Sequence, residues 1–347
     1  MAPPGPGPDL SISANSPGAF SCDDWVRPAE WYASLGGIGL KRQGLGGGIV
    51  TFIDPGNGTH TGIRPIANRD LNNSALNFDD LSTPYNWGVS ASIGYACDDW
   101  AVELSGFYIS QQAKSITVTN PGHLDQNFIN PPVGFEGDNG LWLQADKVRL
   151  TDAISMVNAE LNFRYANRAI GCVEPLIGFR YLNVHELLTI FTGQEDLTVL
   201  DINGNPNPLT QATYRVSSNS NIIAPQLGAE LEYPLFSRLA LVAHVKGAWG
   251  ANFYTQNILL TRGDGLVGVN ASTSHTQFSQ IYDMGFGLDF YFLERFRVRA
   301  VYNLLWLVNV PEAKSQIDYD LSNPNGNRAD HGSIFFHGPQ IEMQFLF

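Results

Sequence analysis

Carboxylates and guanidinium groups recur along this chain at alternate positions, each set opposite an apolar row. Glu160 and Arg164 fall within Asn158-Ala-Glu-Leu-Asn-Phe-Arg164, Glu230 and Glu232 within Gln226–Tyr233, and Asp283 and Asp289 within Gln280–Tyr291. Arg297 and Arg299 follow in Arg295–Val310, with Glu103, Glu174, Arg180, Lys246 and Glu342 in similar settings. Successive side chains of a strand point to opposite faces, so these groups gather on one face of a sheet. If the sheet closes on itself, two chemistries are open to them. They could line a water-filled pore and choose among solutes, or pair across a narrow lumen and brace it.

Enzymatic chemistry finds little support. His185-Glu186 begins a zinc-protease motif, but Thr189 stands where the second His is needed. There is no Gly-x-Ser-x-Gly elbow. Gly44-Leu-Gly-Gly-Gly48 lacks the Lys and Ser/Thr of a phosphate loop and reads as a flexible connection. A hydrolytic dyad assembled from Asp79, Asp80 and His331 is conceivable, yet nothing singles those residues out. Asp318-Tyr-Asp320 with Asn323, Asn325 and Asn327 offers oxygen ligands without the closing Glu of a calcium loop, and reads as a solvated surface loop. The expectation is a non-enzyme with no metal or cofactor.

The elements that must position these charges are strands. Phe296, Val298, Ala300, Tyr302, Leu304, Trp306 and Val308 alternate with Arg295, Arg297, Arg299 and Asn303. At the end, Ile341, Met343, Phe345 and Phe347 alternate with Gln340, Glu342 and Gln344. An aromatic-rich apolar face backed by a charged one is the pattern of a transmembrane barrel strand. A chain closing on such a strand with a terminal Phe is also the form that the outer-membrane assembly machinery reads, so that machinery and outer-membrane lipid are the expected partners.

The spacing predicts strands over Glu30–Gln43, Tyr85–Ala96, Trp100–Ser110, Ser155–Tyr165, Ile170–His185, Ile222–Tyr233, Arg238–Tyr254, Gln280–Tyr291, Arg295–Val310 and Ser333–Phe347. Short and long connections alternate without exception. Outer-membrane barrels have short periplasmic turns and long extracellular loops, whereas a soluble sandwich has no reason to sort them. The prediction is therefore an all-β, closed antiparallel transmembrane β-barrel of about ten strands, with both termini on the periplasmic side. Trp87, Trp100, Tyr165, Tyr233, Trp249 and Trp306 fall near strand ends, where aromatic girdles belong. Leu231 and Leu288 are expected to meet lipid.

Composition agrees. Charged residues make up 15% of the 347, and apolar ones 44%. No stretch approaches the roughly 18 apolar residues of a membrane helix, and barrel strands hide their hydrophobicity in alternation. The net charge of −13 argues against nucleic acid. Residues 1–27, rich in Pro, Gly and Ser, read as a disordered lead-in without an export signal, and 28–347 as the barrel. Cys22, Cys97 and Cys172 are an odd set with no metal-ligand spacing, and a disulfide between two of them is left open.

Several segments resemble one family. Gly178-Phe-Arg-Tyr-Leu182, Gln226-Leu-Gly228, Lys246-Gly-Ala248, Gly250-Ala-Asn252 and Tyr302–Val310 leading to Gln316-Ile-Asp318 are similar to the beta-barrel porin-7 family of bacterial outer-membrane proteins. Pro311-Glu312-Ala313 departs from the family's basic turn at that point. The resemblance implies a barrel, a bacterial outer-membrane location and a porin role. The function expected from residues and resemblance together is passive diffusion of small hydrophilic solutes through a charged, narrow lumen. The alternatives are a non-conducting structural or surface-adhesion barrel acting through its extracellular loops, and an outer-membrane hydrolase.

Overall fold

The computed structural model describes residues 30–53, 73–97, 99–136, 141, 143–165, 172–193, 207–293, 295–322 and 331–347. The expected lead-in, residues 1–27, lies outside them, as do Cys22, Asn323, Asn325 and Asn327. Twelve strands follow in order: β1 (Glu30–Arg42), β2 (Ile49–Ile53), β3 (Ser74–Asn77), β4 (Tyr85–Cys97), β5 (Trp100–Gln126) and β6 (Ala145–Tyr165). The second half holds β7 (Val173–Gly193), β8 (Gln211–Phe236), β9 (Leu239–Arg262), β10 (Val267–Leu293), β11 (Phe296–Pro311) and β12 (His331–Leu346).

Ten of these strands close a ring. Each pairs antiparallel with its chain neighbour, β5 pairs with β6, and β1 closes on β12 through Tyr32↔Leu346 to Arg42↔Phe336. The short strands β2 and β3 are additions on the far end of β5. Closure leaves no open edge in the lipid zone, where unpaired N–H and C=O groups would be costly.

The outer surface bears the apolar rows. Leu161, Phe179, Leu227, Val245, Phe286, Ile341 and Phe345 are all exposed. Trp100, Tyr165 and Tyr233 ring the short-turn end, while Trp87, Trp249 and Trp306 ring the other. From Trp100 to Ile109 a tilted strand rises about 23 Å, close to the roughly 25 Å apolar band of such barrels.

The connections differ from expectation. The stretch Gln111–Arg149, read as a loop, is mostly strand, because β5 runs on to Gln126 and β6 begins at Ala145. Strands β7 to β10 extend in the same way, up to Gly193, Gln211, Arg262 and Val267. Beyond the upper girdle these six strands form a half-pipe, since β1, β4, β11 and β12 stop near that level. Polar outward rows such as Ser115-x-Thr117-x-Thr119 mask these extensions in the sequence, because nothing greasy marks a strand that has left the bilayer. The concave side of the half-pipe is filled by a buried cluster including Leu150, Ile190, Tyr214 and Leu260, packed against Leu45, Phe78, Phe128, Ile317 and Leu321.

Candidate functional site: the interior of the barrel

Of the charged residues expected on the inner wall, Arg295 instead stands exposed at the turn before β11, and nearly all the others join two linked networks. Near the short-turn end, Arg164 pairs with Glu103 and, at 2.7 Å, with Glu230. Arg299 bridges Glu230 at 2.7 Å and Asp289 at 2.9 Å. Arg297 reaches Asp289 at 2.8 Å and Glu232 at 3.1 Å, and also donates to Gln344. The Tyr32 hydroxyl donates to Glu103 at 2.8 Å. Glu174 stands at the margin, 4.0 Å from Arg164.

The second network sits further in. Arg180 donates to Asp283 at 2.8 Å and Asn158 at 2.8 Å, and lies 3.5 Å from Glu160. Lys246 donates to Glu160 at 2.9 Å, and Gln226, Asn158 and Asn162 do so at 3.0, 3.0 and 3.2 Å. His244 stands 3.3 Å from the other oxygen of Asp283. Glu342 accepts from Ser34 and Gln340 and has no ion pair among the described residues. A buried charge must be paired and hydrogen-bonded to survive desolvation, and all of these but the half-buried Glu342 are.

Small side chains occupy the facing wall. Ser34, Ser92, Ser105 and Gly106 border a cavity of about 130 Å³, opposite Arg180, Lys246 and Arg299. Gly285 makes a related allowance: a Cβ there would meet the His244 ring at 2.3 Å. Gly285→Val should push His244 from Asp283, read as displaced His244 ring resonances by NMR.

Beyond the second network the inner face turns apolar. Ile38, Leu40, Ile109, Ile154, Met156, Leu182, Val184, Ile222, Ile281, Leu305, Leu307, Ile334 and Phe336 form one buried cluster across the barrel, none more than 4% exposed. This layer is not among the features expected from the sequence, although its signal is present. In β1, β6, β7 and β11 the inward positions change from polar to apolar toward the long-loop end, as in Arg297-x-Arg299-x-Val-x-Asn303-x-Leu305-x-Leu307.

Two loop expectations change. Asp318–Asp320 is not a solvated surface loop, because Pro311–Ser322 folds inward, Ile317 and Leu321 are buried, and the Tyr214 hydroxyl donates to the Asp318 carbonyl at 3.5 Å while accepting from the Asp318 N–H at 3.1 Å. One oxygen of each carboxylate there is engaged by the fold: Asp320 accepts from Asn130 and Ser322, and Asp318 from the Asp320 N–H. Gly44–Gly48 is pinned, with the Leu45, Gly46 and Gly47 carbonyls accepting from Lys314 at 2.8, 2.7 and 2.6 Å. In the His185-Glu186 pair, His185 contacts Ser217 while Glu186 turns inward to Arg42. Asp80 caps the Asn77 N–H, and His331 packs edge-on against Tyr254. Cys172, beside the short-turn end of β7, is disulfide-bonded.

A closed antiparallel barrel with lipid-facing apolar rows, two aromatic girdles and ions held inside is a membrane-spanning barrel of the outer-membrane class. The family model described as "Putative beta barrel porin-7 (BBP7)" matches residues 144–343, more than half of the chain. The chain belongs to that family. No curated protein matches it. Among solved structures it is similar to the outer membrane protease OmpT from Escherichia coli, at 9% identity and a TM-score of 0.43, covering 92% of this chain and 96% of that one. It is also similar to the toluene transporter TodX of P. putida, at 10% identity and a TM-score of 0.31, covering 92% and 88%. A Pseudomonas aeruginosa FadL homologue follows at 11% identity and a TM-score of 0.22, covering 92% and 89%.

Proposed function

We propose that this protein is a bacterial outer-membrane barrel, porin by family, whose lumen is sealed to hydrophilic solutes in the state described and which acts as a structural or surface barrel through its outer end. The observation that carries this reading is the apolar layer from Ile38 to Phe336, which fills the lumen near the upper girdle with side chains no more than 4% exposed. Its surroundings are outer-membrane lipid on the exposed rows and, during insertion, the assembly machinery engaging β12. The disulfide at Cys172 agrees with an oxidising compartment at the short-turn end. We read the chain as non-enzymatic.

Planar-bilayer recording tests the seal. Folded wild-type protein is expected to give no conductance steps above background at neutral pH, whereas Leu307→Ala combined with Phe336→Ala should leak. Steady open steps from the wild type would overturn the sealed reading.

A second reading, passive diffusion of small hydrophilic solutes, draws support from the family and from the mixed-charge cavity of about 130 Å³. On that reading Arg297→Glu or Lys246→Glu shifts ion selectivity and Leu288→Ala does not. Equal shifts from all three would refute the inner-wall role of the two cations.

A further inference from the structure

Where Pro311–Ser322 enters the barrel mouth, its first charged residue meets an unbalanced cluster. The Arg42 guanidinium lies 2.9 Å from Glu186, 3.1 Å from Glu312 and 4.0 Å from Asp152. The side chains of Arg42, Glu186 and Asp152 are at most 8% exposed, and that of Glu312 is 18% exposed. Three carboxylates thus share one guanidinium in a site that water barely reaches. The cluster lies beyond the upper girdle: outward Tyr181 precedes Glu186 by five residues on β7, and Asn183 and His185 between them are polar.

Three of the four members stand on strands β1, β6 and β7, and only Glu312 belongs to the inserted segment. The cluster is also the segment's anchor. Glu186 accepts the Ala313 N–H at 2.8 Å, and Ser218 donates to the Pro311 carbonyl at 2.9 Å. Further along, Lys314 is the other charged anchor, resting over the Phe78 ring with Asp79 nearby.

We propose that Pro311–Ser322 is a proton-governed plug, held in the mouth while the Arg42 cluster carries a proton and loosened when that proton leaves. The proposal rests on the sealed-lumen reading. With that proton gone, Arg42 balances one carboxylate and Lys314 partly offsets Glu312, which leaves excess negative charge in a low-dielectric site, and withdrawing the segment both removes Glu312 and admits water to the others. The directions of titration agree. Burial pushes the Asp152 carboxyl up to about 6 against the pull of Arg42, with Glu186 pushing the same way. Burial likewise raises Glu312, with Arg42 and Lys314 opposing and Glu186 adding to the rise. A carboxyl that holds its proton more tightly with the plug seated favours the seated state at low pH, and that advantage fades as pH rises through about 6.

The test is maleimide labelling of Ile317→Cys in folded protein in lipid vesicles. Its rate is divided by that of the exposed Ser322→Cys, so that thiol ionisation cancels, with the parent chain as blank for native cysteines. The ratio is expected to rise about tenfold from pH 5 to pH 8, and to stay low at both in an Asp152→Asn background. A ratio flat with pH, or a pH dependence that persists with Asp152→Asn, overturns the proposal. Arg42→Met, where it folds, should label fast at both pH values; slow labelling there would count equally against it. Conductance at pH 5 keeps the two readings apart: open steps with slow labelling would end the sealed lumen and leave the plug's proton control standing.

Discussion

Glu160→Ala is expected to destabilise the folded barrel by about 3–5 kcal/mol, the range for stranding buried charge by removing one partner. Glu160 holds five groups at once: Lys246, Gln226, Asn158 and Asn162 by hydrogen bonds, and Arg180 at 3.5 Å. Without its carboxylate, Lys246 keeps no ion pair within 4 Å among the described residues, and Arg180 keeps only Asp283. The amides cannot replace a negative charge. Glu342→Gln is the matched control: that carboxylate faces the same lumen without an ion pair among the described residues, and its loss should cost about 1 kcal/mol, the scale of a hydrogen bond. Equilibrium urea unfolding in micelles, followed by tryptophan fluorescence, reads both. Equal, small losses would mean that the inner network is hydrated and does not brace the wall.

The second large effect is on the other face. Leu227→Arg should cost about 2–4 kcal/mol in bilayer insertion and folding, as for a cation at the hydrocarbon midplane. Leu227 is 54% exposed and lies midway along β8 between Ile223 and the girdle residue Tyr233. Leu231→Arg should cost clearly less, because Leu231 is only two residues from Tyr233 and a long side chain there can reach the interface. Leu288 also faces out, nearer the short-turn girdle than mid-height Phe286. Reversible folding into thin-lipid vesicles measures the series. A Leu231→Arg cost equal to that of Leu227→Arg would displace the girdle from Tyr233.

What was legible in the amino acids was whatever a strand's two-residue period writes locally. Val157-Asn-Ala-Glu-Leu-Asn-Phe-Arg-Tyr165 states which side meets lipid and which does not, and Trp100 and Tyr165, which pair, each sit where a short connection meets a strand. Closure, the girdles and the inward placement of Arg297 or Glu160 need nothing further, because one slipped residue would put every charge into lipid. Local pattern is silent about what lies across the barrel. That Arg164 pairs with Glu230, 66 residues away, or that Arg42 meets Glu312, 270 away, depends on barrel diameter and tilt. So does the sealing layer: Leu307 or Ile154 inside a strand reads the same whether it borders water or another wall. The inward fold of Pro311–Ser322 was hidden for a related reason, since its polar residues look solvated until the half-pipe supplies Tyr214, Asn130 and Glu186 as partners. Sequence set the two faces because each residue's side is decided by its own strand; tertiary structure decided whether the interior is open, because that is decided by residues meeting across it.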